Sequence, residues 1–410
     1  MDKTRLLAMA LSLGLFLAVV ACESLFPDNI EPEKLLGEPI LELTPEQQQS
    51  HAKGDTEFGR VFGVVDGLGP IFVSTSCESC HIGDGKGHPS TSLTRFNRQD
   101  GLDFDPMISV GASQLQHRAI TGYTPETLPT DIKGSTRLTP PAVGGLGYLA
   151  AVSDADILAM ADPHDLNGDG ISGVPNYFPA PDFFEPEKFH LPDAAGRYIG
   201  RFGKKAGAID LLQQVANAYL LDMGITSEFL RTDLYNEQLG NHTGDNIPDP
   251  EVPGSVVRNV VLYMRTLKVP PRRNARQPEV LAGEQLFIQL GCAKCHVPTL
   301  KTGLSDIAAL SIQTFHPYTD LLLHDMGPAL DDNYTEGSAR TSEWRTAPLW
   351  GLGLAAEAQG RQVFYLHDGR ARTLPEAIQY HGGEAANSRI KFTALPTPNQ
   401  KELLSFLQSL

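Results

Sequence analysis

Long apolar runs are missing from this 410-residue chain except at its extreme N-terminus, which excludes a multi-span membrane protein. Positive charge is scarce. Lys plus Arg number 33 against 49 Asp plus Glu, a formal net charge of −16, so the chain lacks the basic face that nucleic-acid binding requires. Five cysteines are too few to staple a fold of this size. Only two tryptophans exist, Trp344 and Trp350. What is present is an ordinary apolar fraction with 39 Gly and 30 Pro, the composition of a loop-rich globular chain. The length allows two or three domains and a large core.

Residues 1–21 read as an export signal: Lys3 and Arg5 precede the apolar run Leu6 to Val20, which is too short to span a bilayer comfortably. The run ends in Val19-Val20-Ala21-Cys22, which resembles a bacterial lipobox. That resemblance implies lipidation of Cys22, and Glu23 after it implies the outer membrane of a Gram-negative bacterium, facing the periplasm. Residues 22–49 are acidic and little patterned, as expected of a tether. The remainder stays strongly acidic, so a basic redox partner would be steered toward it.

The other four cysteines fall in Cys77-Glu78-Ser79-Cys80-His81 and Cys292-Ala293-Lys294-Cys295-His296. C-x-x-C-H is the attachment signature of haem c. Two thiols bond the two vinyl groups of one porphyrin edge, and the adjacent histidine comes under the iron. A zinc site would need further ligands at finger spacing, and none is placed there. The expected cofactors are therefore two haem c, held by Cys77, Cys80, Cys292 and Cys295, with His81 and His296 as axial ligands. No thiol remains for disulfide chemistry.

The chain also repeats itself. Val280, Leu286, Phe287 and Leu290 form a helical stripe before the second motif, and Phe58, Val61 and Phe62 give a looser one before the first. Arg137-Leu-Thr-Pro140 is echoed by Arg345-Thr-Ala-Pro348, and Phe202-Gly-Lys204 followed by Leu211 is echoed by Tyr365-Leu-His367 followed by Leu374. The shared order indicates duplication. The expected fold is mainly α, with two tandem cytochrome c-like domains, residues 50–269 and 270–410. Val256, Val257, Val260, Val261, Met264 and Leu267 mark a helix before the boundary, which Val269-Pro-Pro breaks. Arg137 and Lys204 lie 67 residues apart but Arg345 and His367 only 22, so the first domain carries a large loop insertion. Within it Asp165, Asn167, Asp169, Gly170 and the Ile171 carbonyl match the first positions of a calcium loop, although position twelve is Asn176 and not the usual Glu.

Taken together, Cys77-Glu-Ser-Cys-His-Ile-Gly-Asp-Gly-Lys-Gly87, Asn167-Gly-Asp-Gly-Ile-Ser-Gly173, Gly200-Arg-Phe-Gly203, Leu323-His-Asp-Met-Gly327 and Leu366-His-Asp-Gly-Arg-Ala-Arg372 resemble the di-haem oxidoreductases related to bacterial cytochrome c peroxidase. The resemblance implies an enzyme that reduces hydrogen peroxide, or oxidises a partner, with electrons relayed between two haems and supplied by a small cytochrome or cupredoxin. It places Gln214 and Asp222 at the distal pocket, as hydrogen-bond donor and proton shuttle. It places Lys204 where the family carries a tryptophan between the haems, a departure that weakens a relay through that position. It implies Met326 as sixth ligand of the second haem, with His324 as the neighbouring alternative. For the first haem His88, Met107 and His117 are candidates, or the position is open. Arg137, Arg345, Arg370 and Arg372 are candidate propionate partners. The rival reading is a non-enzymatic electron carrier with both irons six-coordinate.

Overall fold

The computed structural model of the chain describes residues 36–97, 113–240 and 243–410. The signal segment, Cys22 and Met107 lie outside them. Helices dominate. The strands are short and pair as five two-stranded antiparallel ribbons among the described residues. The longest joins Leu93–Asn97 to Gly134–Leu138.

Six helices frame the interior: α1 (Pro45–Gly59), α2 (Leu211–Met223), α3 (Gly254–Thr266), α4 (Pro278–Gln289), α5 (Leu374–Gln379) and α6 (Thr397–Ser409). Local chemistry sets their ends. Thr44 and Gln47 form a capping box at α1, with Pro45 in the first turn. Asp210 accepts the Gln213 amide at the start of α2, and Gly224 closes it with φ 70°. Thr373 caps α5 through the Glu376 amide.

One packing unit occurs twice. α1 lies on α3, and α4 lies on α6. Both crossings rest on a glycine. A Cβ on Gly54 would sit 2.1 Å from the Asn259 carbonyl oxygen, and one on Gly283 would sit 2.0 Å from that of Glu402. Four residues after each of these positions stands an aromatic: Phe58 against Tyr263, ring centroids 5.4 Å apart, and Phe287 against Phe406, 5.2 Å apart. Each phenylalanine also approaches a motif histidine, Phe58 to His81 at 6.0 Å and Phe287 to His296 at 6.3 Å. Separate apolar clusters surround the two units, one built on Phe58, Leu211, Tyr219 and Tyr263, the other on Phe287, Leu374, Leu403 and Phe406.

Residues 36–49, assigned to a tether by the sequence, belong instead to the folded body. Leu36, Ile40 and Leu43 are buried, Ile40 and Leu43 against Ile307 and Leu310, and the Ile40 amide donates to the Thr266 carbonyl at 2.7 Å. The acidic composition masked three apolar side chains that find a groove only in the tertiary structure. Between Arg137 and Lys204 run two short helices, Leu146–Ala150 and Asp154–Met160, and a ribbon of Asn176–Pro179 with Arg197–Gly200. Arg201, fully buried, pairs with Asp154 and donates to the Val152 carbonyl, so the Gly200-Arg-Phe-Gly203 motif fastens this stretch to the core.

Candidate functional site

Both C-x-x-C-H segments face one cavity of about 950 Å³. The two turns are alike: the His81 amide donates to the Cys77 carbonyl and the His296 amide to the Cys292 carbonyl, each at 3.0 Å. All four thiols are free of disulfides. Burial pushes Cys77 up to about 12 and Cys292 up to about 11. His81 Nδ1 donates to the Pro141 carbonyl at 2.8 Å and His296 Nδ1 to that of Tyr318 at 3.0 Å. Burial lowers each imidazole to about 4. Both rings are therefore neutral, with the Nδ1 bond fixing the tautomer and leaving the Nε2 lone pair free to bind a metal.

The rest of the lining suits a large, flat, anionic group. Lys86, Lys204 and Arg345 border the cavity, and none of them forms an ion pair among the described residues. Burial, then Lys86 and Arg345, hold Lys204 well below the usual lysine range; burial takes Lys86 down to about 8 and Arg345 to about 10. Half-buried cations that form no ion pair, reached only by the charges of Asp368 and Asp320, are costly, and haem propionates would supply further counter-charge. Of the arginines expected there, Arg345 alone lines the cavity. Arg137 donates to the Pro89 carbonyl, Arg370 pairs with Asp368, and Arg372 lies over Phe364.

The two sides differ beyond the motifs. Phe202 bridges Ala208 before α2, and Tyr365 bridges Ala371 before α5, so the second echo in the sequence is a true structural repeat. Seven residues past Leu374, the first residue of α5, stands His381; seven past Leu211, the first residue of α2, stands Ala218. Both line the cavity. His381 Nδ1 donates to the Ala377 carbonyl at 2.8 Å, and Nε2 has no protein partner among the described residues. Its charge also reaches His296. Ala218 offers no ligand atom. Met326 borders the same cavity and packs with Leu138, Leu330 and Trp344. His324 is committed elsewhere: Nδ1 lies 2.7 Å from a Glu384 oxygen and Nε2 2.8 Å from an Asp320 oxygen. Burial opposes its charge, but Asp320 and then Cys295 and Glu384 raise it to about 12. A ring that donates from both nitrogens cannot ligate iron. His88 and His117 do not line the cavity; His88 Nδ1 is 2.7 Å from Ser90 Oγ, and His117 is exposed.

Gln214 and Asp222 both border the cavity from α2. The Gln214 amide makes no side-chain hydrogen bond among the described residues. Asp222 accepts from Gln114 Nε2 at 2.7 Å. Burial raises its carboxyl, against the Gln114 bond and Arg95. Its charge reaches Cys77 and Cys80, so it stands at the cysteine edge of the first motif. Gln114 and Arg95 carry no signal in the sequence, because only tertiary contact brings them here, whereas His381, which the C-terminal motif places at the second pocket, does line the cavity. Lys204 fills the place expected of an aromatic. An aromatic pair stands nearby: Trp344 stacks on His367 at 3.6 Å and 11°. Trp344 lies opposite His324 in the ribbon of β1 (Leu323–Asp325) and β2 (Glu343–Arg345), and His324 Nδ1 is 3.5 Å from Cys295 Sγ. The His367 carbonyl accepts from Thr139, two residues before the Pro141 that holds His81.

In the expected calcium loop, Asp165 accepts from the Gly170 amide, Asn167 from the Asp169 amide, and Asp169 from the Ile171 amide and Lys294 Nζ. Asn176 is buried and committed to Lys205, Glu336 and Ser338. The loop thus clips onto the second motif through Lys294.

The family model for di-haem oxidoreductase, putative peroxidase, matches residues 111–410, and the chain belongs to that family; its two cofactors are haems. No curated protein matches. Among solved structures, the chain is similar to Kuenenia stuttgartiensis hydrazine synthase pressurised with xenon: 15% identity over 91% of this chain and 95% of that one, TM-score 0.40. It is also similar to a MauG-like protein associated with microbial copper homeostasis: 14% identity over 65% of this chain and 87% of that one, TM-score 0.29.

Proposed function

We propose that this di-haem oxidoreductase reduces hydrogen peroxide to water at its first motif, with electrons entering from a small cytochrome or cupredoxin. The observation that carries this reading is the asymmetry between Ala218, which offers no ligand atom, and His381, whose Nε2 could bind an iron. In this reading haem c is bound through Cys77 and Cys80 and through Cys292 and Cys295, in two tandem cytochrome c-like domains, the first enlarged by the insertion. His81 would be the one protein ligand of the first iron; His296 and His381 would hold the second, in preference to Met326. When bound, the haems supply one iron that accepts peroxide and one that holds an electron.

The chain's own groups handle protons and position. Gln214, with its amide uncommitted, hydrogen-bonds an oxygen of the substrate. Asp222, raised by burial, takes a proton and returns it. Eight residues separate them, about 12 Å along the helix axis, so Asp222 exchanges protons through cavity water. Trp344 and His367 serve as the aromatic connection that Lys204 does not provide. The N-terminal sequence supports export and anchorage through Cys22, facing the periplasm from the outer membrane. The Asp165, Asn167, Asp169 and Ile171 loop is read as a weak calcium site without Asn176.

The test is an optical and EPR titration of the haem-loaded protein, ferric then half-reduced, with peroxide added last. One high-spin haem that reacts with peroxide is expected. Two low-spin haems indifferent to peroxide in both redox states would make the protein an electron carrier. Gln214→Ala and Asp222→Asn should each lower peroxide turnover by about 10² to 10⁴-fold; unchanged turnover would remove both from the pocket.

A further inference from the structure

A second polar centre lies away from the haem cavity, in the connection between α2 and α3. Asp233, Asp245 and Glu251 bring carboxylate oxygens within 4.8 Å of one another. One oxygen of each is used by the fold. Asp233 Oδ2 accepts from the Asp245 amide, Asp245 Oδ1 from the Ile247 amide, and Glu251 Oε2 from Thr226. The other oxygen of each, Asp233 Oδ1, Asp245 Oδ2 and Glu251 Oε1, is buried with no hydrogen-bond partner. Asp245 is 4% exposed. No Lys, Arg or His pairs with any of the three among the described residues. Asp249 adds a fourth carboxylate through Thr226 Oγ1 at 2.6 Å. A cavity of about 360 Å³ adjoins the group, bordered by Asp233, Gly244, Asn246 and Asp249. Burial pushes Asp233 up to about 6, with the charges of Asp249 and Asp245 adding to it, and Glu251 to about 8, with a hydrogen bond to Asp249 and its charge adding to it. Three buried oxygens without donors are costly for the chain alone, and a cation removes that cost.

We propose that Asp233, Asp245 and Glu251 form a calcium site distinct from both haems and from the Asp165 loop. The donors are all hard oxygens, with no nitrogen or sulfur, which selects against zinc and copper. The carboxylates are pinned by backbone donors and cannot contract to the tight octahedron magnesium demands, whereas calcium accepts irregular oxygen cages. The ion would tie Glu251, three residues before α3, to Thr226, three residues after α2. It would thereby fix the chain behind the helix that carries Gln214 and Asp222.

The experiment uses the haem-loaded full chain, stripped with chelator and titrated with calcium by calorimetry, alongside thermal melts with calcium or with chelator. Wild type should bind calcium and melt higher with it. Asp245→Asn and Asp233→Asn should each weaken that binding by about 100-fold or more, while Asp169→Asn keeps it. In chelator, Asp245→Asn should melt no lower than wild type, because the amide keeps the Ile247 contact and removes one repelling charge. Calcium binding by Asp245→Asn equal to wild type, its loss in Asp169→Asn alone, a response to magnesium but not calcium, or no calcium effect on wild type would each overturn the assignment.

Discussion

The two motif regions share their proximal architecture and differ on the opposite side. Glycine crossing, aromatic neighbour, hydrogen-bonded turn and neutral imidazole recur around His81 and His296. Past the shared bridge, one helix brings Ala218 to the cavity and the other leads to His381. The two regions thus share the surroundings of the motif histidine and differ in what faces it across the cavity. Even the shared part is not a strict copy. The carbonyl that orients His81 follows the Arg137 echo, at Pro141, but the one that orients His296 comes from Tyr318, well before Arg345.

The largest effect should come from exchanging the differing residues. His381→Ala should open the second haem and turn its EPR signal high-spin, while Ala218→His should close the first and remove its reaction with peroxide. Met326→Ala should leave the spin state of the second haem unchanged. A high-spin second haem in Met326→Ala, with His381→Ala unaltered, would reverse the ligand assignment.

Next come the crossings. Gly54→Ala and Gly283→Ala each push a methyl group into a facing backbone carbonyl, and each should cost about 2 kcal/mol or more in chemical denaturation of the holoprotein. Similar losses would confirm that the two crossings are equivalent supports. A neutral effect at one would show that its helices can part.

The smallest effect is in pH. Glu126, buried on the first side, is raised to about 7 by burial. The folded state keeps a proton that the unfolded state releases, so this group's contribution falls as pH rises from about 4.5 to about 7. Glu126→Gln should flatten that window. His324, on the second side, is raised in the folded state, so its contribution is complete below about 6.5 and fades as pH rises above that. Denaturant midpoints at pH 5, 7 and 9 for Glu126→Gln and His324→Gln separate the two windows.

How much of the molecule was legible beforehand depends on the range of the interactions. The C-x-x-C-H turns are local, and their roles come from spacing. The stripe Leu211, Val215 and Tyr219 is buried as an amphipathic helix requires, and so are Val280, Phe287 and Leu290. The equivalence of α3 with α6 was hidden, because it rests on a glycine and an aromatic four apart facing a partner more than 100 residues away in both cases. The acidic cluster escaped notice because Asp233, Asp245 and Glu251 have no ligand spacing in sequence and converge only when the connection folds back. Gln114 reaches Asp222 across 108 residues.

The cations around the large cavity tie the haems to the stability of the fold. Without haem the chain would have to hold Lys86, Lys204 and Arg345, none of them in an ion pair among the described residues, around a cavity of some 950 Å³, an arrangement that close packing and desolvation both oppose. Haem bound to the native state would stabilise it by mass action, and a chain without haem would be the more open to proteolysis.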